Sequence, residues 1–252
     1  MQLVGIANEN EFYSDHYLSE IFSGDIRDVL TAWQETEASE REKAKAKGVV
    51  AGKYEGYRSP PNALNALAHG LLQRIDETSR IRAPEERVMS ARGLARDLLA
   101  LFEIPIRPHA KVIEDESLVP LLAEVTDQAG KPLLWVLEAL PTLGDEPDID
   151  PLACVIQPEQ VESLIEGTAS DAKTAELQTW QQLLSRQIFT LAQPPRWVIL
   201  AGPRQWLLLD RAKFSHNRLL RFDWVELFQR RELDTLKAVS TLLHKDSLLD
   251  AQ

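Results

Sequence analysis

The chain has 252 residues, of which 44% are hydrophobic and 27% are charged, a composition typical of ordinary globular proteins. It contains no apolar run of about 18 residues and no cleavable signal, since Glu9 and Glu11 precede any long apolar stretch, so we expect a cytoplasmic protein that contacts no membrane. The single cysteine, Cys154, excludes an intrachain disulfide and a cysteine-based zinc site, and the net charge of −11 argues against non-specific wrapping of nucleic acid by the whole surface.

The amino-terminal part of the chain is predicted to be mainly helical. Residues 1–7 form a short apolar strand or arm, and Ser14 begins a helix that runs through Asp28 with an interruption at Gly24. Apolar residues at helical spacing predict further helices over 25–47, 62–81 and 84–102. Glycines and prolines predict a loop over 48–61, which makes 41–61 a flexible basic segment.

After Pro105 the pattern changes to strands. Two apolar runs joined by a polar link predict a hairpin of strands 118–125 and 132–139, and a Gly-Pro turn predicts a second hairpin of strands 196–200 and 205–210. The remaining predicted elements are strands 111–113 and 217–222 and helices 157–165, 171–192, 223–233 and 234–243.

This order of elements predicts an α+β protein, in which a mixed sheet of about five strands is flanked by helices. We divide the chain into a helical segment (1–83), an α/β domain (84–233) and a helical linker (234–252). The linker is expected to lead toward a further carboxyl-terminal part.

The positive charges are concentrated in two stretches, 41–58 and 196–221. The second stretch provides candidate contacts to DNA phosphates, namely Arg204, Arg211, Lys213, Arg218 and Arg221. The alternative is that these cations pair with the protein's own acids, such as those of the loop 144–150 or Asp223. The five histidines have no metal-binding spacing, so we expect no metal site.

Two stretches carry a resemblance to a known family. The segments WVLEALP and WVILAGPRQWLLLD, with a glutamine-bearing helix between them, resemble the amino-terminal PD-(D/E)xK nuclease-like domain of type I and type IIG restriction enzymes. Residues 118–139 and 197–210 take the places of that family's two strand pairs, the first of which ends in I-E-A-K. The opening NENEFYSDHYL and the ending HKDSLLD are similar to the beginning of long class I adenine-specific DNA methyltransferases of type IIG restriction–modification and DISARM-like phage defence. The resemblance implies a restriction-endonuclease-like sheet preceded by a helical segment.

The nuclease site that the resemblance implies is incomplete. Cleavage of a phosphodiester there needs two carboxylates that hold Mg²⁺ and a lysine close to them. Glu138 matches the second carboxylate, but Leu121 and Leu140 occupy the places of the first aspartate and of the lysine. Glu124 or Asp127 is a substitute ligand if the strand register slips. We therefore expect a degenerate copy of the fold, with Glu138 as a vestigial candidate and no catalytic residue.

A methyltransferase of this kind binds S-adenosylmethionine at a glycine-rich strand-to-helix turn and flips adenine into a pocket around an N-P-P-Y/F motif. Neither motif occurs in the sequence, so we expect no cofactor in this segment and S-adenosylmethionine in the missing part of the parent protein.

The sequence thus predicts an accessory domain that positions DNA or serves as a scaffold in a bacterial DNA adenine methyltransferase. DNA and other defence-system subunits are its expected partners. Two alternatives stay open: an active Mg-dependent endonuclease domain of a type IIG enzyme, and a protein-interaction module of a defence complex.

Overall fold

The computed structural model describes residues 3–50, 54–113, 117–146, 148–165 and 178–249. The strands in chain order are β1 (Ile6–Glu9), β2 (His109–Val112), β3 (Leu118–Thr126), β4 (Pro132–Glu138), β5 (Trp197–Ala201), β6 (Gln205–Asp210) and β7 (Leu219–Asp223). They form one seven-stranded sheet in the spatial order β1-β7-β6-β5-β4-β3-β2. Neighbouring strands are antiparallel except β4 and β5, which run parallel.

Helices lie on both sides of this sheet. They are α1 (Phe22–Asp25), α2 (Arg27–Ala46), α3 (Pro60–Arg80), α4 (Pro84–Leu101), α5 (Pro158–Glu162), α6 (Trp180–Leu183), α7 (Arg211–Phe214), α8 (Trp224–Arg230), α9 (Leu233–Leu243) and α10 (Lys245–Leu249). Within the described residues, no helix is both long and apolar enough to cross a membrane.

Both faces of the sheet are buried, because successive side chains of a strand point to opposite faces and helices cover each face. Along β6, Trp206 and Leu208 join a core cluster with α3, α4, α8 and α9, whereas Leu207 and Leu209 join a second cluster with α5 and α6. The first cluster includes side chains from all three predicted parts of the chain, such as Leu64, Leu98 and Leu243. These parts therefore share a core.

The strongest sequence patterns are confirmed. The helices expected over 25–47, 62–81 and 84–102 correspond to α2, α3 and α4, and both predicted hairpins are present as β3–β4 and β5–β6. The charged end of α2 remains helical through Ala46, so residues 41–46 belong to the helix rather than to a loop.

The sheet has seven strands rather than about five. The amino-terminal strand or arm is an edge strand, β1, in which Ile6 pairs with Phe222 and Glu9 with Leu219 of β7. A segment of four residues is too short to show a clear two-residue alternation. Its conformation is set by its partner strand, which lies near the other end of the sequence.

The helix predicted over 171–192 is wrong in extent. Its first part, 171–177, falls outside the described residues, and Thr179 has an extended backbone with ψ 156°. Thr179 and Gln182 form a capping box in which each side chain accepts a hydrogen bond from the other's backbone N–H, so α6 begins at Trp180. A π-helical turn, Leu184–Ile188, continues it.

Glu37 connects α2 to the beginning of α3. Its buried carboxylate accepts hydrogen bonds from the Ser59 N–H at 2.8 Å, the Ser59 hydroxyl at 2.7 Å, Asn62 Nδ2 at 2.8 Å and Arg41 Nη2 at 2.7 Å. Burial by itself would raise the pKa of Glu37, but these donors outweigh burial and lower the pKa to about 2. The ionised carboxylate thus holds the turn that precedes α3.

This network predicts a pH-dependent contribution to stability. Because folding lowers the pKa of Glu37 from 4.5 to about 2, its contribution is fully present above pH 4.5 and is lost as the pH falls towards 2. We expect Glu37→Gln to reduce the free energy of unfolding by about 2–3 kcal/mol at neutral pH and by clearly less in acid. Denaturant unfolding of the variant and of Glu35→Gln, an exposed control on the same helix, measures this. An equal loss at both pH values would contradict the role of the charge.

Candidate functional site

The parallel strands β4 and β5 end side by side. Glu138 pairs with Ala201, and the Ala139 N–H donates to the Ala201 carbonyl at 2.9 Å. A parallel pair requires a crossover connection, and the chain from 139 to 196 provides it. In open sheets, ligands typically bind in the crevice outside the carboxyl ends of such strands. This end of the sheet is therefore the candidate site.

Glu138, the vestigial metal ligand of the sequence analysis, is buried at the end of β4 with only 2% of its surface exposed. Arg92 of α4 forms a bidentate ion pair with it, in which Nε donates to Oε1 at 3.0 Å and Nη2 donates to Oε2 at 2.8 Å. Gln160 of α5 donates from Nε2 to the Glu138 backbone carbonyl at 3.0 Å and to Oε2 at 3.2 Å. Both carboxylate oxygens therefore accept hydrogen bonds from the protein.

The partners of Glu138 are fixed in turn by α5. Arg92 Nη1 donates to the Ser163 hydroxyl at 2.8 Å, and Nη2 donates to the Gln160 carbonyl at 2.6 Å. The Gln160 side-chain oxygen accepts from the Gln157 N–H at 3.0 Å in the capping box of α5. Burial raises the pKa of the Glu138 carboxyl, and the Arg92 guanidinium opposes this rise. The result is a closed polar cluster that joins β4, α4 and α5.

The other two positions of the expected nuclease site are part of the hydrophobic core. Leu121 of β3 is fully buried opposite Leu137, and Leu140 is buried with Val88 of α4. Among the described residues, no group of three or more His, Cys, Asp or Glu residues could hold a metal ion.

The two substitute ligands point elsewhere. Glu124 lies opposite Trp135, three residues before Glu138 on β4, and therefore on the other face of the sheet. Its carboxylate accepts hydrogen bonds from Lys111 Nζ at 2.6 Å and from Trp135 Nε1 at 2.9 Å. Asp127 accepts backbone N–H groups within the β3–β4 turn. Neither carboxylate lies beside Glu138.

A cleft with a volume of about 220 Å³ opens at the same end of the sheet. Ala139 and Gly202 line it where β4 and β5 end, and α3, α4 and the loop that follows β4 contribute the other walls. A Cβ atom on Gly202 would lie 2.9 Å from the Gln205 carbonyl and 3.2 Å from the Ala139 carbonyl, so this close approach of the β5–β6 turn requires glycine. Glu138 lines a separate void of about 10 Å³.

Three arginines line this cleft, together with one aspartate, Asp145. Arg87 of α4 has only 6% of its surface exposed, and its Nη2 donates to the Pro141 carbonyl. Burial lowers the pKa of Arg87, which Asp145 partly opposes. Arg204 lies in the β5–β6 turn, and its buried Nε has no acceptor among the described residues. Arg82, which is exposed, also lines the cleft.

The structure does not bring the five candidate DNA contacts together. Arg204 lies at the beginning of β6, whereas Arg211 and Lys213 belong to α7, which follows the end of that strand, and Arg218 immediately precedes β7. Because β6 has six residues, its two ends are about 20 Å apart. Arg221 lies between them, on β7 opposite Leu207.

Two of these five cations make specific contacts within the fold. Arg221 donates to Glu9 at 2.5 Å, to Asp150 at 2.9 Å and to Gln205 at 2.9 Å. Arg221 therefore pairs with the protein's own acids, one of which, Asp150, belongs to the loop 144–150. Lys213 Nζ donates to the Phe12 carbonyl at 2.8 Å, and burial lowers the pKa of Lys213. Arg211 is exposed and Arg218 is half-buried.

The sequence analysis missed Arg87, Arg92 and Gln160. Both arginines lie on the buried stripe of α4, next to Val88 and Ala91. The other residues of this stripe are apolar. A charged residue on an apolar stripe is the one signal that could have identified them, since buried arginines normally have a partner. Nothing local in the sequence indicates that this partner is Glu138.

Comparisons of this chain with protein-family models, with curated proteins and with solved structures found no match.

The buried ion pair yields a prediction for stability. Removal of one partner of such a pair leaves an uncompensated buried charge, whereas apolar replacement of both partners is often close to neutral. We expect Arg92→Met to reduce the free energy of unfolding by about 3–5 kcal/mol, and Arg92→Met combined with Glu138→Leu to recover most of this loss. Denaturant unfolding of both variants, with Arg96→Met as an exposed control on α4, measures the effect. A double variant less stable than Arg92→Met would contradict the pairing.

Proposed function

We propose that this protein is a nuclease-like accessory domain that positions DNA without cutting it, within a bacterial DNA adenine methyltransferase of restriction–modification or phage defence. The observation that carries the proposal is the Arg92–Glu138 ion pair. In this pair Arg92 binds the Glu138 carboxylate at the strand end, where nucleases of the resembled family hold a metal ligand.

The order of elements supports the nuclease-like part of the proposal. An antiparallel hairpin, β3–β4, ends in Glu138-Ala139, and a crossover containing α5 and α6 leads to the β5–β6 pair. This is the order on which the sequence resemblance rests. The place of the hairpin carboxylate is kept, while an arginine and a glutamine from the neighbouring helices bind it instead of a metal ion and a lysine.

The proposed DNA contacts are those cations that the fold leaves available. Arg211 is the first residue of the short helix α7, and Arg218 immediately precedes β7. Guanidinium groups that contact phosphates release counterions, which gives affinity that falls with salt and carries little sequence preference. Arg221 and Lys213 hold the sheet edge and the amino-terminal segment instead. Arg204 is a separate contact at the opposite end of β6.

The first test concerns cleavage. We expect supercoiled plasmid to remain intact when it is incubated with the purified protein and Mg²⁺ or Mn²⁺, since the lone carboxylate is already bonded to Arg92. Agarose electrophoresis of the plasmid measures this, with a magnesium-dependent endonuclease as a positive control. Nicking that disappears in Glu138→Ala would overturn the proposal in favour of an active endonuclease domain.

The second test concerns DNA binding. Arg211→Gln combined with Arg218→Gln should weaken binding of duplex DNA and make the plot of log affinity against log salt shallower by roughly one unit per lost phosphate contact. Fluorescence anisotropy over a salt series measures both effects. Arg27→Gln, which removes an exposed charge from α2, is the matched control. If the double variant binds DNA as tightly as the control, this DNA-contact surface is wrong.

A further inference from the structure

Arg87 is a buried cation that forms no close ion pair with a described residue, although the Asp145 carboxylate of the same cleft acts on its pKa. Only 6% of its surface is exposed, and no described carboxylate lies within 4.0 Å of its guanidinium. The one described hydrogen bond of its side chain goes to a neutral carbonyl, that of Pro141. Charged side chains are rarely buried to this degree unless they are paired. Since Arg87 lines the cleft, the cleft is where an anion from outside the described chain would meet it.

Arg204, which lines the same cleft from the β5–β6 turn, provides a second indication. Its Nε is shielded from solvent, yet it has no acceptor among the described residues. Unsatisfied buried donors are uncommon in native proteins and call for an explanation. The β5–β6 turn fixes the backbone of Arg204, because the Trp224 N–H donates to the Arg204 carbonyl at 2.9 Å and the Gly202 N–H donates to Gln205 at 2.9 Å. The unsatisfied donor therefore belongs to a constrained segment.

The charge and shape of the cleft fit a phosphate group. Three guanidiniums outnumber the single carboxylate, Asp145, which itself accepts a hydrogen bond from the Thr142 N–H at 2.6 Å. A phosphate monoester carries a charge of about −2 near neutral pH and three acceptor oxygens, and guanidinium groups bind such oxygens in pairs. Leu143, Ile149 and Pro151 provide apolar wall beside the arginines.

We propose that this cleft binds a phosphate group, with Arg87 and Arg204 as direct contacts and Arg82 as a third contact at a more exposed position. The ligand is a phosphate monoester, carried either by a free nucleotide or by the end of a DNA strand. The DNA source rests on the proposed function, whereas the nucleotide source does not. A cleft of about 220 Å³ at the end of a sheet accommodates a terminal phosphate more readily than the continuous backbone of a duplex.

The experiment uses isothermal titration calorimetry of the full chain with inorganic phosphate, a deoxynucleoside 5′-monophosphate and the matching deoxynucleoside. Two single-stranded oligonucleotides, one with a 5′-phosphate and one with a 5′-hydroxyl, distinguish the sources. We expect the monophosphate to bind and the deoxynucleoside not to bind. Arg204→Gln combined with Arg82→Gln should weaken phosphate binding at least about tenfold, since two guanidinium groups that donate to the charged ligand are lost. Arg27→Gln is the control.

Asp145→Asn is a variant that should raise the affinity for phosphate instead of lowering it. It keeps an oxygen that accepts from Thr142 N–H and removes the negative charge that competes with the ligand, so phosphate should bind more tightly. Arg87 is not substituted, because its loss could disturb the core. Melting temperatures of all variants establish that they are folded.

The outcomes separate the proposals. If the monophosphate binds and neither oligonucleotide binds, the phosphate site is supported with a free nucleotide as its ligand. The DNA-contact surface of Arg211 and Arg218 then depends only on its own binding test. A preference for the 5′-phosphorylated strand supports the cleft with DNA as the source. If no phosphate-bearing probe binds, or if a folded Arg204→Gln, Arg82→Gln variant binds the monophosphate as tightly as the control, the phosphate site is wrong.

Discussion

The parallel pairing of β4 with β5 is the constraint on which the site depends. It is the one pairing in the sheet that a tight turn cannot connect, so the chain crosses over the sheet between the two strands. That crossover carries α5, whose Gln160 reaches the end of β4. The same pairing places Ala139 beside Ala201, and the Gly202 turn that follows closes one side of the cleft. The ion pair and the arginine cleft are thus two results of one strand arrangement.

The Arg92–Glu138 pair is better understood as a device for alignment than as a source of stability. Removing two charges from water costs free energy that their attraction only roughly offsets, and the remaining hydrogen-bonding groups must also be satisfied. Here Gln160 and Ser163 satisfy them. The geometry is met only when α4, α5 and β4 take one relative position. A buried carboxylate in this place therefore has a structural explanation that is independent of any chemistry at the strand end.

Local sequence patterns were sufficient to predict the helices α2, α3 and α4 and both hairpins, because the apolar residues within each segment recur with a period of 3.6 or 2 residues. They failed where contacts with residues far away in the sequence determine the structure. The ion pair joins residues 46 positions apart, and Arg221 meets Glu9 across 212 positions. Glu138 was identified through the resemblance, but nothing local marks Arg92 as its partner. The expected DNA contacts come from one stretch of sequence, 196–221, and no local pattern gives the register of β6 and β7 that separates them.

The pairing of β1 with β7 has a consequence for the order of folding. The first described strand of the chain adds to a partner that is synthesised only after most of the sequence, so closure of this edge brings together residues that are far apart. Such distant contacts are formed at a high cost in chain entropy and are typically slow. Strand β1 is therefore expected to be among the last elements to dock, onto a sheet that has already formed from β2 to β7. During synthesis β1 therefore remains without its partner until β7 has been made.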